Sequence, residues 1–377
     1  MTPAPGGTGP ARARRPGAGH GEAPFEEALR AIAAARDPAE LFGPPPEDAG
    51  PPGAAAVAAY RRLARRVHPD RAPRGRADEA GRAFAALGAL WAEHRAAAET
   101  GGGTVLATRT RRYRVGPVAA RGDIADVRPV RYRDGGPRAG ALKLARSPAD
   151  NDLLLAEAEA LERITGHGRP EFRAFFPEPV EAIRHRDPAT GVERHGTVLG
   201  GLAGFVPLSE LHRAHPDGID PRDAAWMWRR LLAAAGAAAE AGVVHGAIVP
   251  EHVLIHPEEH GLVLIDWCYS VTAGAPGRHV PALVPGRTGF YPPEVPDRRP
   301  AAAATDVFMA ARCMEHITGG RLPKPLRAFA RGCTLPSPAR RPADGFAALS
   351  DLDDLLERRY GPRRFRPFST PARRIAL

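Results

Sequence analysis

The spacing of apolar residues changes once along the chain, near residue 100, and this change predicts two regions of different structure. Before it, apolar side chains recur at helical intervals, and Phe25, Ala28 and Ile32 lie on one face of a predicted helix. Two further helical patterns follow, joined by a short polar turn. They cover residues 54–67 and 77–93.

After three consecutive glycines at 101–103, short Val-rich runs broken by glycine continue to about Leu142, which is typical of strands and hairpins. Beyond Gly200 the pattern is mainly helical. The predicted fold class is α+β, with a small all-α domain followed by a larger domain that has a β-rich first lobe and an α-rich second lobe. The predicted boundaries are a disordered basic tail at 1–24, a helical domain at 25–100, a linker at 101–112, a larger domain at 113–357 and a basic tail at 358–377.

The net charge of +10 would suggest nucleic acid or an anionic membrane as a partner, but the distribution of the charge changes that expectation. Residues 1–20 contain three arginines and no acid, and residues 358–377 contain seven arginines and no acid. These charges equal the whole excess, so the chain between the two tails is neutral. We therefore expect nucleic-acid binding to be weak and confined to the tails.

The cysteines and the hydropathy of the chain indicate the cellular compartment in which the protein is expected. Cys268, Cys313 and Cys333 are far apart and form no C-x-x-C pair, which argues against a disulfide framework or a structural zinc site. The longest stretch of low polarity, Leu231–Val244, is too short to span a bilayer. The N-terminal arginines are not followed by the apolar run of a signal peptide. We expect a cytoplasmic protein without membrane insertion.

The second helical pattern has a basic face and ends at a His-Pro-Asp turn. Pro69 stops the helix, and Asp70 can accept hydrogen bonds from backbone amides of the turn. Over about residues 36–95 this pattern resembles the J-domain, the module by which co-chaperones stimulate ATP hydrolysis by DnaK-type chaperones. The resemblance implies chaperone contact by His68, Pro69, Asp70, Arg61, Arg62, Arg65 and Arg66.

Two observations leave the J-domain role open. A plain helical hairpin with a solvated arginine face would show much of the same pattern. The Pro-rich loop at 44–53 also departs from the J-domain pattern, and the glycine/phenylalanine-rich and zinc-binding segments of the best-known co-chaperones are missing.

The larger region contains several motifs in a characteristic order along the chain. Lys143 lies in a predicted strand, and Glu157 lies in the helix that follows. Glu159 is the competing choice, but its side chain points about 200° around the helix from Glu157. Asp266 follows the second of two apolar strands joined by a turn at 256–261. From about residue 113 to residue 356 the chain resembles the protein kinase fold.

The resemblance implies ATP and magnesium as cofactors, with Asp266 as the magnesium ligand. The implied nucleotide-binding residues are Gly122, Val127, Lys143, Glu157 and Asp266. It also implies structural roles for His245, Glu294, Asp306 and Arg341. Of these, Arg341 would pair with Glu294.

Two positions that phosphoryl transfer requires are changed. Ala247 stands where an aspartate accepts the substrate hydroxyl proton, and alanine cannot accept one. His252 replaces the asparagine that holds a second magnesium, and imidazole is a poor ligand for this oxygen-seeking cation. Of the phosphate-covering glycines only Gly122 remains, and Cys268 replaces the last glycine of Asp-Phe-Gly. The resemblance is therefore to a bacterial pseudokinase.

The resulting hypothesis is a regulatory or adaptor protein that binds ATP and contacts a DnaK-type chaperone or another protein partner. One alternative is an active Ser/Thr protein kinase in which Glu251 or Asp266 acts as the base. Another is a scaffold that binds no nucleotide, with Lys143 and Glu157 kept as a stabilising ion pair. A metal site formed by histidines at 252, 256 and 260 is disfavoured, because they fall in a predicted strand–turn–strand segment.

Overall fold

The chain divides into two units, with the boundary between Thr104 and Val105. We call them the first unit and the second unit. The computed structural model describes residues 22–35, 37–46, 51–73, 75–99, 105–187, 190–272 and 278–376. The predicted tail at 1–24 lies outside the described residues, apart from its last three residues, which begin the first helix.

The first unit is helical, as the apolar spacing predicts. Its core includes the side chains of Phe25, Leu63 and Leu87. The last helix continues six residues beyond its predicted end, because His94 packs against Phe42 and Ala98 is buried. The helices are α1 (Glu22–Ala34), α2 (Ala39–Phe42), α3 (Ala54–Arg66) and α4 (Ala77–Glu99).

The second unit begins with a curled, seven-stranded antiparallel sheet. The strand order is β1-β2-β4-β5-β7-β6, and β3 pairs with β4. One helix, α5 (Asn151–His167), connects β5 to β6 and packs its apolar face against the sheet. The strands are β1 (Val105–Ala107), β2 (Arg112–Val115), β3 (Ala120–Arg121), β4 (Ala125–Arg133), β5 (Pro137–Ala145), β6 (Pro179–Arg186) and β7 (Glu193–Gly200).

The sheet starts at Val105, where the Val-rich pattern predicts strands, but inside the segment expected to be a linker at 101–112. The backbone amide of Thr108 donates to the carbonyl of Arg111 at 2.9 Å and closes a tight turn. This turn folds β1 back onto β2, with Val105 opposite Arg114. The residues from Val105 onward therefore belong to the sheet.

The rest of the second unit is mainly helical, so the unit is α+β, as predicted. Helices α7 and α10 pack closely because Gly236 and Gly345 face each other. A Cβ on Gly345 would lie 2.4 Å from the backbone nitrogen of Gly236. The elements are β8 (Val206–Pro207), α6 (Leu208–Ala214), α7 (Pro221–Glu240), β9 (Val243–Val244), β10 (Val253–His256), β11 (Gly261–Leu264), β12 (Val271–Thr272), α8 (Ala303–Ile317), α9 (Lys324–Cys333) and α10 (Gly345–Tyr360).

The C-terminal segment differs from the predicted basic tail at 358–377. Helix α10 continues to Tyr360, and the residues after it lie against the second unit. Phe368 and Ala372 are buried in its core. Ile375 exchanges two backbone hydrogen bonds, donating to the carbonyl of Phe205 at 2.7 Å and accepting from the amide of Gly204 at 2.9 Å.

The arginines of this segment pair with acidic residues of the second unit, which hold the segment in place. Arg366 Nε lies 2.8 Å from the buried carboxylate oxygen Oδ1 of Asp223, and Arg374 pairs with Glu258. The excess positive charge of the segment is therefore partly compensated by acids of the same unit. Among the described residues, no helix is both long and apolar enough to cross a membrane.

Candidate functional site

Lys143 and three acceptors form a buried polar cluster in the second unit. The ammonium donates to Glu157 Oε1 at 3.0 Å, to Asp266 Oδ1 at 2.8 Å and to Cys268 Sγ at 3.1 Å. An ammonium has three N–H donors, so these three contacts account for all of them. The structure thus brings together the three charged residues that sequence reasoning grouped, and adds a cysteine.

The local folding of each segment aims these side chains at one point. Lys143 lies opposite Val127 in the β4–β5 pair. Glu157 is fully buried on α5, whereas Glu159 is exposed, as the helical phase predicts. Asp266 follows β11 in a left-handed conformation (φ 67°), which is strained for a residue with a side chain and is found at functional sites.

The charges in the cluster stabilise one another. Burial would raise the pKa of Asp266, but the Lys143 ammonium and the His252 ring outweigh it and hold that pKa well below its usual range. Burial lowers the pKa of Lys143, but the neighbouring acidic groups more than reverse this effect. Burial raises the pKa of Glu157 and that of the Cys268 thiol. The Lys143 ammonium and the Asp266 carboxylate therefore each favour the charged form of the other.

His252 contacts the other oxygen of the Asp266 carboxylate. Its Nε2 lies 3.4 Å from Asp266 Oδ2, and its Nδ1 lies 2.9 Å from the carbonyl oxygen of Ala247. A neutral ring can donate to only one of these acceptors, whereas a doubly protonated ring can donate to both. In either state the imidazole occupies the approach to Asp266 that the kinase resemblance assigns to magnesium.

Ala247 lies in the same loop and is completely buried. Its amide donates to His245 Nδ1 at 3.1 Å, and His245 Nε2 lies 2.9 Å from the carbonyl of Ile265. Burial, helped by the nearby His252, lowers the pKa of His245 to about 3, so the ring is neutral. His245 thus links the backbone of Ala247 to that of Ile265.

Asp306, near the start of α8, anchors this loop from the other side. Its carboxylate accepts the amides of His245 at 2.7 Å and of Gly246 at 2.9 Å. Burial raises the pKa of Asp306 to about 7, although these two amide hydrogen bonds act to lower it. The Asp306 carboxylate is thus hydrogen-bonded to the backbone of two successive residues of this loop.

Glu294 and Arg341 form a second buried pair in the second unit. Arg341 donates to Glu294 Oε1 at 2.6 Å and to Oε2 at 2.8 Å, and Thr305 donates to the same carboxylate at 3.1 Å. The remaining donors of the guanidinium contact carbonyl oxygens. These belong to Ala304, Leu335 and Pro336.

The loop between β3 and β4 contains Gly122, whose amide donates to the carbonyl of Ala125 at 2.8 Å. At its tip the carboxylate of Asp123 accepts a hydrogen bond from the hydroxyl of Tyr269, which lies three residues after Asp266. Burial and this hydrogen bond raise the pKa of Tyr269. Sequence reasoning missed both residues, since nothing in their local patterns relates positions so far apart.

The His-Pro-Asp turn lies in the first unit at the end of α3. The amide of Asp70 donates to His68 Nδ1 at 3.3 Å, and Pro69 opens a single helical turn. The Asp70 side chain is exposed. Of the four arginines of the basic face, Arg66 pairs with Glu27 at 3.3 Å. The other three are exposed: Arg61, Arg62 and Arg65.

The residues around Asp266 do not fit a magnesium ion in this arrangement. Among the described residues, one group could surround a metal ion, namely Glu157, Asp266 and Cys268. The Lys143 ammonium already contacts all three of them. The histidines do not replace this group, because the ring of His260 stacks on a tryptophan instead of meeting His252.

Comparison with known proteins finds no family model that matches this chain and no curated protein with significant similarity. The geometry of the Lys143 cluster and of the His-Pro-Asp turn is therefore the basis for assigning a function.

Proposed function

We propose that this protein is a regulatory or adaptor protein with two activities. Its kinase-like second unit binds a nucleotide without transferring phosphate, and its J-like first unit recruits a DnaK-type chaperone. The proposal rests on a contrast between the residues expected to bind the nucleotide and the residue at the proton-accepting position. The Lys143 cluster keeps the charged residues that grip a nucleotide, whereas the proton-accepting position is a buried alanine, Ala247.

The rival function, an active protein kinase, needs another carboxylate to accept the hydroxyl proton. Glu251 and Asp266 are the nearest choices in the sequence. Arg287 donates to both oxygens of Glu251, one of them at 3.0 Å. Asp266 is held by Lys143 and His252. Because cations already contact both carboxylates, they are poorly suited to take up a proton in the transition state.

The weakest contact in the Lys143 cluster offers a place for a phosphate oxygen. A thiol sulfur is a weak hydrogen-bond acceptor, and Cys268 is neutral. A phosphate oxygen that replaced it would form a charge-assisted hydrogen bond with the ammonium. The chain contains only two lysines, Lys143 and Lys324, among 53 Lys and Arg residues. A lysine at this one buried position supports a role for its compact ammonium.

Thermal unfolding with ATP tests the nucleotide half of the proposal. Bound ligand stabilises the folded state by RT ln(1 + [L]/Kd), which is about 2.7 kcal/mol at a hundredfold excess over Kd. We expect ATP to raise the melting temperature of the native protein and not that of Lys143→Met. Lys324→Met, which changes an exposed lysine, is the matched control and should respond like the native protein. The scaffold alternative predicts no response in any of the three proteins.

The chaperone half is tested by the ATPase rate of a DnaK-type chaperone. We expect the full chain to raise that rate and His68→Gln to lose most of the stimulation, because the exposed turn would contact the chaperone. His167→Gln, an exposed histidine in the second unit, should stimulate normally. Stimulation that survives His68→Gln would remove this half of the proposal and leave the nucleotide half intact.

A further inference from the structure

We infer that the second unit binds a nucleoside di- or triphosphate without a divalent cation, with His252 in the position that a metal would take beside Asp266. The inference rests on the proposed nucleotide binding and adds to it the ionic form of the ligand and the residue that takes the place of the metal.

The first step concerns the Asp266 carboxylate, because a metal at this position needs at least one of its oxygens. Oδ1 is 2.8 Å from the Lys143 ammonium, and Oδ2 is 3.4 Å from His252 Nε2. The Asp266 side chain is 19% exposed, so solvent reaches it. A magnesium ion would therefore have to share each oxygen with a protein group that already contacts it.

The second step concerns the other metal ligand. Magnesium requires oxygen ligands in near-octahedral geometry and gives up its water reluctantly. His252 offers nitrogen only, and the carbonyl of Ala247 fixes its Nδ1 at 2.9 Å. The ring is buried, which restricts its rotation toward another partner. The side chain opposite Asp266 is thus a nitrogen donor held in place, where a magnesium site needs oxygen.

The third step concerns charge. A divalent cation bound to Asp266 would lie close to the Lys143 ammonium and be repelled by it, an effect that is strong where water is largely excluded. A polyphosphate carries the opposite charge. It can accept a hydrogen bond from the Lys143 ammonium, in place of Cys268. The ammonium can therefore compensate phosphate charge at this position without a metal.

The test compares nucleotide affinity with and without metal on the full chain. Isothermal titration with ATP is run once in EDTA and once in excess magnesium chloride, with the melting temperature as a second readout. We expect the affinity for ATP in EDTA to equal that in magnesium to within about threefold, or to exceed it. Binding at least tenfold tighter in magnesium would overturn the inference and leave the proposed nucleotide binding intact. No binding in either buffer would overturn both.

A gain-of-function variant tests the role of His252 directly. His252→Asn places an oxygen ligand beside Asp266, so we expect its ATP affinity to rise about tenfold or more when magnesium is added. His256→Asn, which changes a histidine four residues later that lies beside Glu258, should stay metal-independent. If His252→Asn folds but remains indifferent to magnesium, His252 does not stand in for the metal. If it fails to fold, the two buffers with the native protein still decide.

Discussion

The second unit contains two buried charge networks, each built around one cation and its acceptors. They differ in how completely their polar atoms are hydrogen-bonded and shielded from solvent. Arg341 and Glu294 are essentially inaccessible, and the five N–H donors of the guanidinium are matched by five hydrogen bonds. In the Lys143 network one acceptor is a thiol, and Asp266 is partly exposed. Glu157 Oε2 has no hydrogen-bond partner among the described residues.

This difference separates stability from binding. A network in which every donor and acceptor is satisfied by strong partners has nothing to gain from a ligand, so it contributes to the fold alone. A network that keeps a weak acceptor, an unsatisfied oxygen and access to solvent can improve its hydrogen bonding when a ligand arrives. We therefore expect the two networks to respond differently to loss of their cation.

The largest effect is expected for Arg341→Met, which leaves the Glu294 carboxylate buried without its partner. Breaking a buried pair by removing one member costs about 3–5 kcal/mol. Urea denaturation should show a fall of this size in the free energy of unfolding. Arg340→Met, next in sequence but exposed, should change it by less than about 0.5 kcal/mol. A loss below about 1 kcal/mol for Arg341→Met would mean that this network does not stabilise the fold.

Apolar burial in the same unit provides a scale for these charge effects. Phe368 of the C-terminal segment is 9% exposed and lies in the core, whereas Phe365 is 68% exposed. Phe368→Ala should lower the free energy of unfolding by about 3 kcal/mol, since it removes a buried aromatic ring. The same measurement on Phe365→Ala should show less than about 1 kcal/mol. Equal, small effects of the two changes would mean that the segment is a flexible tail, as its charge suggests.

Lys143→Met should cost less than Arg341→Met, about 1–2 kcal/mol, for two reasons. Burial raises the pKa of Glu157, so this group can take up a proton when the ammonium is lost. Water reaches Asp266, which remains charged. Lys324→Met controls for the change of charge in the urea experiment. A loss as large as that of Arg341→Met would contradict the distinction between an open and a closed network.

A further effect concerns pH and the loop beside the Lys143 network. Because the folded-state pKa of His245 lies near 3, below the usual value of 6.5, the unfolded chain takes up a proton first as the pH falls. The stabilisation from neutral His245 is thus complete above pH 6.5 and declines by about 1.4 kcal/mol per pH unit below it. The stability difference between the native protein and His245→Gln should narrow accordingly between pH 7.5 and pH 5.

Comparing each variant with the native protein at the same pH removes the opposite contribution of Asp306. Its folded-state pKa of about 7 lies above its usual value, so its contribution falls as the pH rises. A constant difference between native protein and His245→Gln across this range would mean that the ring is not held neutral. His167→Gln is the exposed control.

Residues whose roles depend on local periodicity could be predicted from the sequence. Helical phase selected Glu157 over Glu159, and the structure buries the first and exposes the second. The apolar spacing located the first helix and α3 to within a few residues. These features depend on the side-chain direction within one element, which is set by backbone geometry.

Contacts between distant segments could not be predicted in this way. The hydrogen bond between Tyr269 and Asp123 joins positions 146 residues apart, and the sulfur of Cys268 reaches Lys143 only because the chain turns at Asp266. The C-terminal segment was misjudged for the same reason. Its arginines predict a basic tail, but acids from elsewhere in the unit, such as Asp223, pair with them.

The most direct test of the account is phosphoryl transfer from ATP labelled on the γ-phosphate, to the protein itself and to a generic acceptor such as casein. The account predicts that the native protein transfers no more label than Asp266→Asn, with or without magnesium, because Ala247 cannot accept the hydroxyl proton. Transfer by the native protein that disappears in Asp266→Asn would contradict it and establish an active kinase.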